Sequence, residues 1–167
     1  AVLGSKIEDV EKILSDNQNN FVAYVANDNS NGQIVLSGKT KDLQILSEFL
    51  KDNKIKNIKL PVSAPFHCSL MSKATMVMTE ELQKINFKKS KNILISNVTA
   101  KEVSNTEDLN NLLIKQIEKR VRWRESIINM INKGVNQFIE IGPGKVLSGL
   151  VKRINKDVKI SSINSQS

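Results

Sequence analysis

The sequence is poor in several residue types on which small proteins often depend. Its 167 residues include one cysteine, one histidine, one tryptophan, one tyrosine and three prolines. The single cysteine, Cys68, excludes a disulfide framework within the chain and is typical of a reducing compartment. One histidine and one cysteine are too few for the usual zinc sites, so we expect no metal centre. No apolar run approaches the length of about 18 residues that suggests a spanning helix, and we expect no membrane partner.

Apolar residues are nevertheless numerous enough for a packed core. They make up 40% of the chain while aromatic residues make up only 4%, so Ile, Leu and Val must supply most of that core. The net charge is +8, from 25 Lys and Arg against 17 Asp and Glu. A basic surface raises encounter rates with acidic partners. Charge alone leaves nucleic acid, an acidic protein and a phosphate-bearing small molecule open as partners.

The first 60 residues show the pattern of a small unit with alternating strands and helices. Predicted strands and helices lie, in chain order, at 1–3, 7–14, 21–26, 33–37, 43–50 and 55–60. The Asn, Asp, Ser and Gly residues at 27–32 predict a hairpin turn, which gives Asn27 and Asn29 a structural alternative to any binding role. The order β-α-β-β-α-β predicts a ferredoxin-like small subdomain over residues 1–60.

Residues 61–167 follow a second pattern, in which the predicted helices are longer. Helices are predicted at 70–85, 108–120, 124–133 and 146–154, and strands at 92–98, 137–141 and 158–163. Strands that alternate with helices predict a parallel sheet covered by helices. The chain is therefore expected to be an α/β protein with two parts, residues 1–60 and residues 61–167.

His67 is the residue best suited to proton transfer near neutral pH. Pro61 and Pro65 restrict φ and favour extended conformations in the residues before them. The backbone is therefore expected to be rigid up to Phe66, and a helix pattern starts after it. This arrangement can aim one imidazole, although a lone histidine at a helix start is more often structural.

Two neighbouring patterns carry less weight. A Cys68–His67 nucleophile is disfavoured because adjacent side chains project in different directions, whereas such a dyad must converge to hydrogen-bond distance. The run Gly142-Pro143-Gly144-Lys145 does not match a phosphate-binding G-x-x-x-x-G-K-[ST] loop and instead predicts a tight turn between a strand and a helix.

Five motifs, taken in order, resemble those of malonyl-CoA:acyl-carrier-protein transacylases, and the resemblance covers essentially the whole chain. The motifs lie at 27–38, 60–71, 96–98, 121–123 and 140–147. The family's nucleophilic serine stands in a G-x-S-x-G elbow upstream of the histidine, and no G-x-S-x-G occurs here. The chain is therefore expected to be a fragment that begins beyond this serine and beyond the arginine that binds the malonyl carboxylate.

The resemblance implies roles for particular residues. It makes His67 the general base and the backbone carbonyl of Gln116 the group that orients it. Phenylalanine before the histidine goes with malonyl selectivity, so Phe66 is expected to shape the acyl pocket, with a core residue as the alternative. Weaker roles are implied for Asn29 and Asn97 in substrate binding and for Lys152 and Arg153 in carrier-protein docking, where turn-forming amides and solvated helix faces are the alternatives.

The implied activity is transfer of a malonyl group from malonyl-CoA to the phosphopantetheine thiol of acyl carrier protein, through an acyl-serine, in fatty-acid synthesis. The expected partners are the carrier protein, the coenzyme A thioester and the missing N-terminal half, with no metal, redox cofactor or nucleic acid. Residues 61–167 would form the C-terminal part of an α/β-hydrolase-like acyltransferase domain. The chain would supply the histidine without the serine, so we expect it to be inactive alone. A cytoplasmic or stromal location is expected.

Two other functions remain open at this stage. The chain could be a non-catalytic scaffold that binds acyl carrier protein. It could also be a basic RNA-binding module, since such modules use a ferredoxin-like sheet. The second alternative is disfavoured, because RNA-binding sheets stack bases on aromatic residues in central strands and the strand at 33–37 has none.

Overall fold

The computed structural model describes residues 1–103 and 105–164, which form five strands and six α-helices. The strands are β1 (Val2–Leu3), β2 (Ala23–Ser30), β3 (Gln33–Gly38), β4 (Gln137–Ile141) and β5 (Lys159–Ile163). The helices are α1 (Ile7–Asp16), α2 (Thr40–Asp52), α3 (Ser72–Gln83), α4 (Thr106–Gln116), α5 (Trp123–Asn132) and α6 (Val146–Ile154). A short 3₁₀ helix, Ser69–Met71, leads into α3. The predicted α/β class is confirmed.

The first sheet is antiparallel and is formed within the first 60 residues. Its strands lie in the order β1-β3-β2, and Ile34 in the central strand faces Val2 on one side and Asp28 on the other. Helices α1 and α2 pack their apolar residues against this sheet. The resulting core contains Val2, Ile7, Val10, Phe21, Ile34, Leu46 and Leu50. Burial of each such side chain stabilises the fold by about 1.5–3 kcal/mol. The first 60 residues therefore have a hydrophobic core of their own.

The turn predicted at 27–32 is shorter in the structure. Strand β2 continues to Ser30, so Asn27 and Asn29 are strand residues and two residues connect the strands. Gly32 has a φ of +76°, which glycine adopts without steric cost, and this permits the tight reversal. The prediction was wrong about the extent of the turn because pairing with β3 outweighed the turn preference of the amides.

The strand predicted at 55–60 is reduced to one antiparallel bridge between Asn57 and Val2. Strand β1 is only two residues long and offers little to pair with. The Asn57 side chain is also held by Ser47 of α2, whose hydroxyl donates to its carbonyl oxygen over 2.7 Å. The bridge lies where a fourth strand would complete a ferredoxin-like order, and that assignment stays a prediction.

The second sheet consists of the parallel strands β4 and β5, with Gln137 opposite Lys159 and Ile141 opposite Ile163. Helices α5 and α6 cover one face of this sheet, and their shared core is centred on Ile127, Val151 and Val158. The other face carries exposed apolar residues, among them Ile141, which is 80% exposed. Parallel sheets are usually covered on both faces, so this pair of strands is unusually open.

Two further predictions in the second region need correction. The segment at 92–98 forms one bridge, between Ile95 and Glu102, rather than a strand. A strand needs a neighbour along its length, and this segment pairs only with the residues to which it folds back. Helix α4 ends at Gln116 rather than at residue 120, because the chain turns there toward the first sheet.

The two regions are joined at the edge of β2. Asn27 forms a parallel bridge with Val121. The Val121 N–H donates to the Ala26 carbonyl over 2.8 Å, and the Asp28 N–H donates to the Val121 carbonyl over 2.9 Å. The second region therefore adds one parallel bridge, at Val121, to the edge of the first sheet. The predicted boundary after residue 60 stays a prediction.

Candidate active site

A tight loop between residues 61 and 68 presents His67. The Phe66 N–H donates to the Ala64 carbonyl over 3.0 Å, and His67 itself has a φ of +60°. This left-handed conformation is uncommon for a residue with a side chain, although histidine adopts it more readily than most. Cys68 is 1% exposed, and its Sγ donates to the Pro65 carbonyl over 3.1 Å. The buried cysteine anchors the loop directly beside the histidine.

The histidine is oriented by a main-chain group from a distant part of the sequence. Its Nδ1 lies 2.8 Å from the carbonyl oxygen of Gln116. A carbonyl oxygen only accepts hydrogen bonds, so Nδ1 must carry the proton. In a neutral imidazole this leaves the lone pair on Nε2, the atom that can then accept a proton. The structure thus brings together the two residues for which the resemblance implies a base and its orienting group.

Helix α4 positions the Gln116 carbonyl at its C-terminal end. The helix begins at an Asn105 cap, whose side-chain oxygen accepts from the Asp108 N–H over 2.7 Å. Further along, the side-chain amide of Asn110 donates to the Leu82 carbonyl of α3 over 3.0 Å. The second contact holds α4 against α3, the helix that follows His67. The last carbonyls of a helix have no partner within it, so the one at Gln116 is available to the imidazole.

Asn29 and Asn97, which have implied binding roles, lie with Asn27 around the junction of the two regions. Asn27 pairs with Val121, and the Asn97 carbonyl accepts from the Arg122 N–H over 2.8 Å. Asn29 lies near the end of β2 and is partly buried. The backbone of Asn27 and Asn97 is thus used to hold the segment that follows α4. Substrate binding by Asn29 and Asn97 stays a prediction.

A buried ion pair, which sequence reasoning missed, crosses the same junction. Arg124 donates from Nε to both carboxylate oxygens of Asp28, at 3.0 and 3.1 Å, and from Nη2 to Oδ2 at 2.8 Å. The Asp28 side chain is 1% exposed and that of Arg124 is 20% exposed. Hydrogen bonding to Asp28 raises the pKa of the Arg124 guanidinium, so the cation is held firmly. The sequence predicts Asp28 within a turn at 27–32 and Arg124 at the start of a helix, and neither pattern indicates a contact between them.

The implied docking residues are both engaged within the chain. Arg153 donates from Nη1 to the side-chain oxygen of Gln33, which connects α6 to β3. The Lys152 ammonium donates to the Lys156 carbonyl over 2.9 Å. Both side chains are solvent-exposed. Docking by them stays a prediction, and for Arg153 it would have to compete with a contact inside the chain.

Phe66 and the turn after β4 are the remaining features predicted from the sequence. Phe66 is 47% exposed beside His67 in this chain, and its role in the acyl pocket stays a prediction. The turn at 142–145 connects β4 to α6 as expected. Glu140 binds the start of α6, where its carboxylate accepts from the Ser148 N–H over 2.7 Å and the Leu147 N–H over 3.1 Å. This turn is therefore held by a carboxylate at a helix start.

Three other features concern metal binding, membrane crossing and RNA stacking among residues 1–103 and 105–164. No cluster of three or more His, Cys, Asp or Glu side chains in this part of the chain could hold a metal ion. None of its helices combines the length and apolar character needed to cross a membrane. The aromatic residue Phe21 is buried against Phe49, with ring centroids 5.8 Å apart. It is not available to stack on a base, and no contact here favours RNA binding.

Comparison with known proteins identifies close relatives, although no protein-family model matches the chain. It is 40% identical over 166 residues to malonyl CoA-acyl carrier protein transacylase of Bacillus subtilis (strain 168), a match that covers 98% of this chain and 52% of the relative. The enzyme of the same name from Staphylococcus aureus (strain MSSA476) is 37% identical over 169 residues, covering 99% of this chain and 54% of the relative. The chain spans about half the length of the curated relatives that it matches.

Solved structures give the same result. The crystal structure of malonyl CoA-acyl carrier protein transacylase from Clostridium perfringens ATCC 13124 superposes with a TM-score of 0.92 at 42% identity, over 99% of this chain and 52% of that one. A malonyl-transacylase solved in complex with its type II polyketide acyl-carrier protein superposes with a TM-score of 0.88 at 30% identity, over 98% and 53%. The likeness thus extends over nearly every residue of this chain.

Proposed function

Because the chain is homologous over nearly its whole length to malonyl CoA-acyl carrier protein transacylases, we propose that it supplies the histidine base of such an enzyme in fatty-acid synthesis. The observation that carries the proposal is the contact between His67 Nδ1 and the Gln116 carbonyl. It leaves Nε2 as the proton acceptor, which is the form that a serine nucleophile requires. The serine itself would come from residues outside this sequence.

The proposed reaction has two half-reactions. Nε2 of His67 takes the serine proton while the serine oxygen attacks the thioester carbonyl of malonyl-CoA. The carbon–sulfur bond then breaks, the imidazolium gives its proton to the departing thiolate, and malonyl-serine remains. In the second half-reaction His67 takes the proton of the phosphopantetheine thiol while its sulfur attacks the carbonyl carbon of malonyl-serine. The carbon–oxygen bond to the serine then breaks, the imidazolium returns its proton to the serine oxygen, and the malonyl thioester of the carrier protein leaves. His67 is neutral at the start and at the end of the cycle, so it returns every proton that it takes.

The orienting group of this base is neutral. In serine hydrolases a buried carboxylate fixes the histidine tautomer and stabilises the imidazolium. Here the Gln116 carbonyl fixes the same tautomer but carries only a partial negative charge. The proposed site therefore depends on the accurate placement of this one carbonyl, because the group in contact with Nδ1 carries no full negative charge to attract the protonated form.

We further propose that acyl carrier protein is the acceptor. One relative is known in complex with its acyl-carrier protein, and the net charge of +8 on this chain favours an acidic partner.

The fold assignment goes with this proposal: residues 1–60 as a ferredoxin-like subdomain and residues 61–167 as part of an α/β-hydrolase-like domain. The antiparallel strand order of the first region supports the former, and the β4–β5 pair supports the latter.

Phe66 is proposed to limit the size of the acyl group. It is adjacent to the base and 47% exposed, so its ring is accessible to a ligand. Replacement by serine in the assembled enzyme should relax selectivity toward methylmalonyl-CoA by about 1–3 kcal/mol, the usual value of one methyl group in a pocket. The kcat/KM ratio for the two thioesters measures this, and an unchanged ratio would remove Phe66 from the pocket.

The function is tested by adding the missing nucleophile. The chain is incubated with radiolabelled malonyl-CoA and holo acyl carrier protein, alone and with a second polypeptide that carries the serine and arginine of the family. We expect no label transfer by the chain alone and transfer by the pair. In the active pair, His67→Ala should reduce transfer by about 10²–10⁴. The exposed Val62, 63% accessible in the same loop, provides the control variant Val62→Ala.

Three results would contradict the proposal. Label transfer by the chain alone would place the nucleophile within it. A loss of less than about fivefold for folded His67→Ala in the active pair would exclude His67 as the base. Binding of the carrier protein without transfer by an assembled pair would favour a scaffold.

A further inference from the structure

The base and its orienting carbonyl are held by different parts of the chain. His67 and Gln116 are 49 residues apart, and their 2.8 Å contact joins a loop to the end of α4. Helix α4 ends at Gln116, although Ile117 keeps helical backbone angles and the chain turns only over the next few residues. The position of that carbonyl therefore depends on the anchoring of α4 before it and on what fixes the segment that follows, residues 117–124.

Two sets of hydrogen bonds fix that segment against β2, one from the main chain and one from a side chain. Its backbone forms the bridge in which Val121 donates to Ala26 and accepts from Asp28. Just beyond, in the first turn of α5, the Arg124 guanidinium forms three hydrogen bonds of 2.8–3.1 Å with the Asp28 carboxylate. One strand residue thus holds the segment through its main chain and the following helix through its side chain.

We propose that Asp28 and Arg124 form a positioning pair for the proposed base. Their contact fixes the start of α5 on β2, and through residues 117–122 it keeps the Gln116 carbonyl at the imidazole of His67. The pair itself does not touch the histidine. The proposal rests on the proposed function of His67, which it extends by naming what maintains the tautomer of the base.

The geometry of the Asp28–Arg124 pair allows it to fix the start of α5 on β2. A guanidinium that forks onto a carboxylate fixes direction as well as distance, whereas a lysine ammonium acts as a point charge. The Asp28 side chain is 1% exposed, so water cannot readily replace the missing partner. A second ion pair across the same junction, Glu11 with Arg120 at 2.6 Å, has a Glu11 side chain that is 51% exposed. It provides a matched control, because solvent can replace its contacts.

The test uses the single histidine as a reporter. In the ¹⁵N-labelled chain, only one imidazole contributes to the histidine ring spectrum. The nitrogen shifts of the neutral ring distinguish a proton on Nδ1 from one on Nε2. We expect the Nδ1–H form in the wild-type chain and in Glu11→Gln. In Asp28→Asn and Arg124→Lys we expect loss of that form toward the mixture given by an unrestrained imidazole.

The readout separates this proposal from the proposed function. If the wild-type ring lacks the Nδ1–H form, the base geometry fails and both proposals fall. If the wild type has it and the folded variants keep it, only the positioning role is overturned. Arg124→Lys retains the charge and is the second variant should Asp28→Asn not fold. In the assembled enzyme the same variants should lower kcat with little change in KM, and an effect on KM alone would also overturn the positioning role.

Discussion

The two regions of the chain differ in how completely they cover their own apolar residues. Among the described residues, three large apolar side chains in residues 1–60 are more than about a third exposed, against sixteen in the rest. The first region has an antiparallel sheet closed by two helices around one core. The second has a two-stranded parallel sheet with helices on one face, and Ile139, Ile141 and Ile163 exposed on the other.

This difference follows from the kind of sheet in each region. An antiparallel sheet is stable with one face in water, and hairpin connections let it form within a short stretch of chain. Parallel strands require crossover connections and normally lie between layers of helices. The second region therefore presents an apolar surface of the kind that other protein usually covers, and the matched proteins are about twice as long as this chain. The contrast predicts where substitutions will cost most.

The largest expected loss comes from the junction between the regions. Replacement of Arg124 by alanine would leave the Asp28 carboxylate buried at 1% exposure without its counter-ion, and we expect a loss of about 3–5 kcal/mol in the free energy of unfolding. Urea denaturation followed by circular dichroism measures it. Glu11→Ala, at the exposed pair, should cost no more than about 1 kcal/mol. Equal losses for the two variants would mean that burial does not distinguish these pairs.

The next effect contrasts one isoleucine in each sheet. Ile34 is 0% exposed in the centre of the first sheet, whereas Ile141 is 80% exposed at the end of β4. Ile34→Ala should cost about 2–5 kcal/mol through lost burial and a residual cavity. Ile141→Ala should change stability by no more than about 0.5 kcal/mol. A loss near that of Ile34 would show that the open face of the second sheet is covered in solution, and sedimentation velocity would reveal whether a second copy covers it.

The sequence predicted most helices and strands because their apolar residues recur at the spacing of one buried face. It was wrong at 55–60 and 92–98, where apolar residues are present but each segment forms only one bridge with its neighbour. Apolar spacing reports only that a segment is suited to a strand. Whether it becomes one depends on partners elsewhere in the fold, which local pattern does not encode.

The candidate site was predictable in one respect and not in another. His67 stood out as the single histidine, and only the resemblance indicated Gln116, since its side chain is that of an ordinary helix glutamine and the group in contact is its main-chain carbonyl. The Asp28–Arg124 pair carried no local signal. Its members are 96 residues apart, and each lies among residues whose usual role is solvation or turn formation. Long-range pairing of this kind appears only when the fold is known.

The smallest expected effect concerns the turn that follows the exposed strand β4. Hydrogen bonds from Ser148, and then from Leu147, hold the pKa of Glu140 below its ordinary value near 4.5. A carboxyl whose pKa is lowered by folding stabilises the protein above its unfolded-state value, and this contribution is lost as the pH falls through the folded-state value. Glu140→Gln removes the charge at the helix start, so it should destabilise the chain slightly at neutral pH.

The difference between wild type and Glu140→Gln should shrink on acidification, because the wild-type carboxyl then becomes neutral as well. Urea midpoints measured for both proteins at about pH 7 and below about pH 4 provide the comparison. Glu102→Gln, at an exposed pair with Lys133, controls for the loss of a surface carboxylate elsewhere. If the difference in urea midpoint between the two proteins stays constant with pH, Glu140 acts through packing rather than through its charge. A gap that closes would show that a charge at a helix start helps to stabilise the end of β4, where few apolar contacts do so.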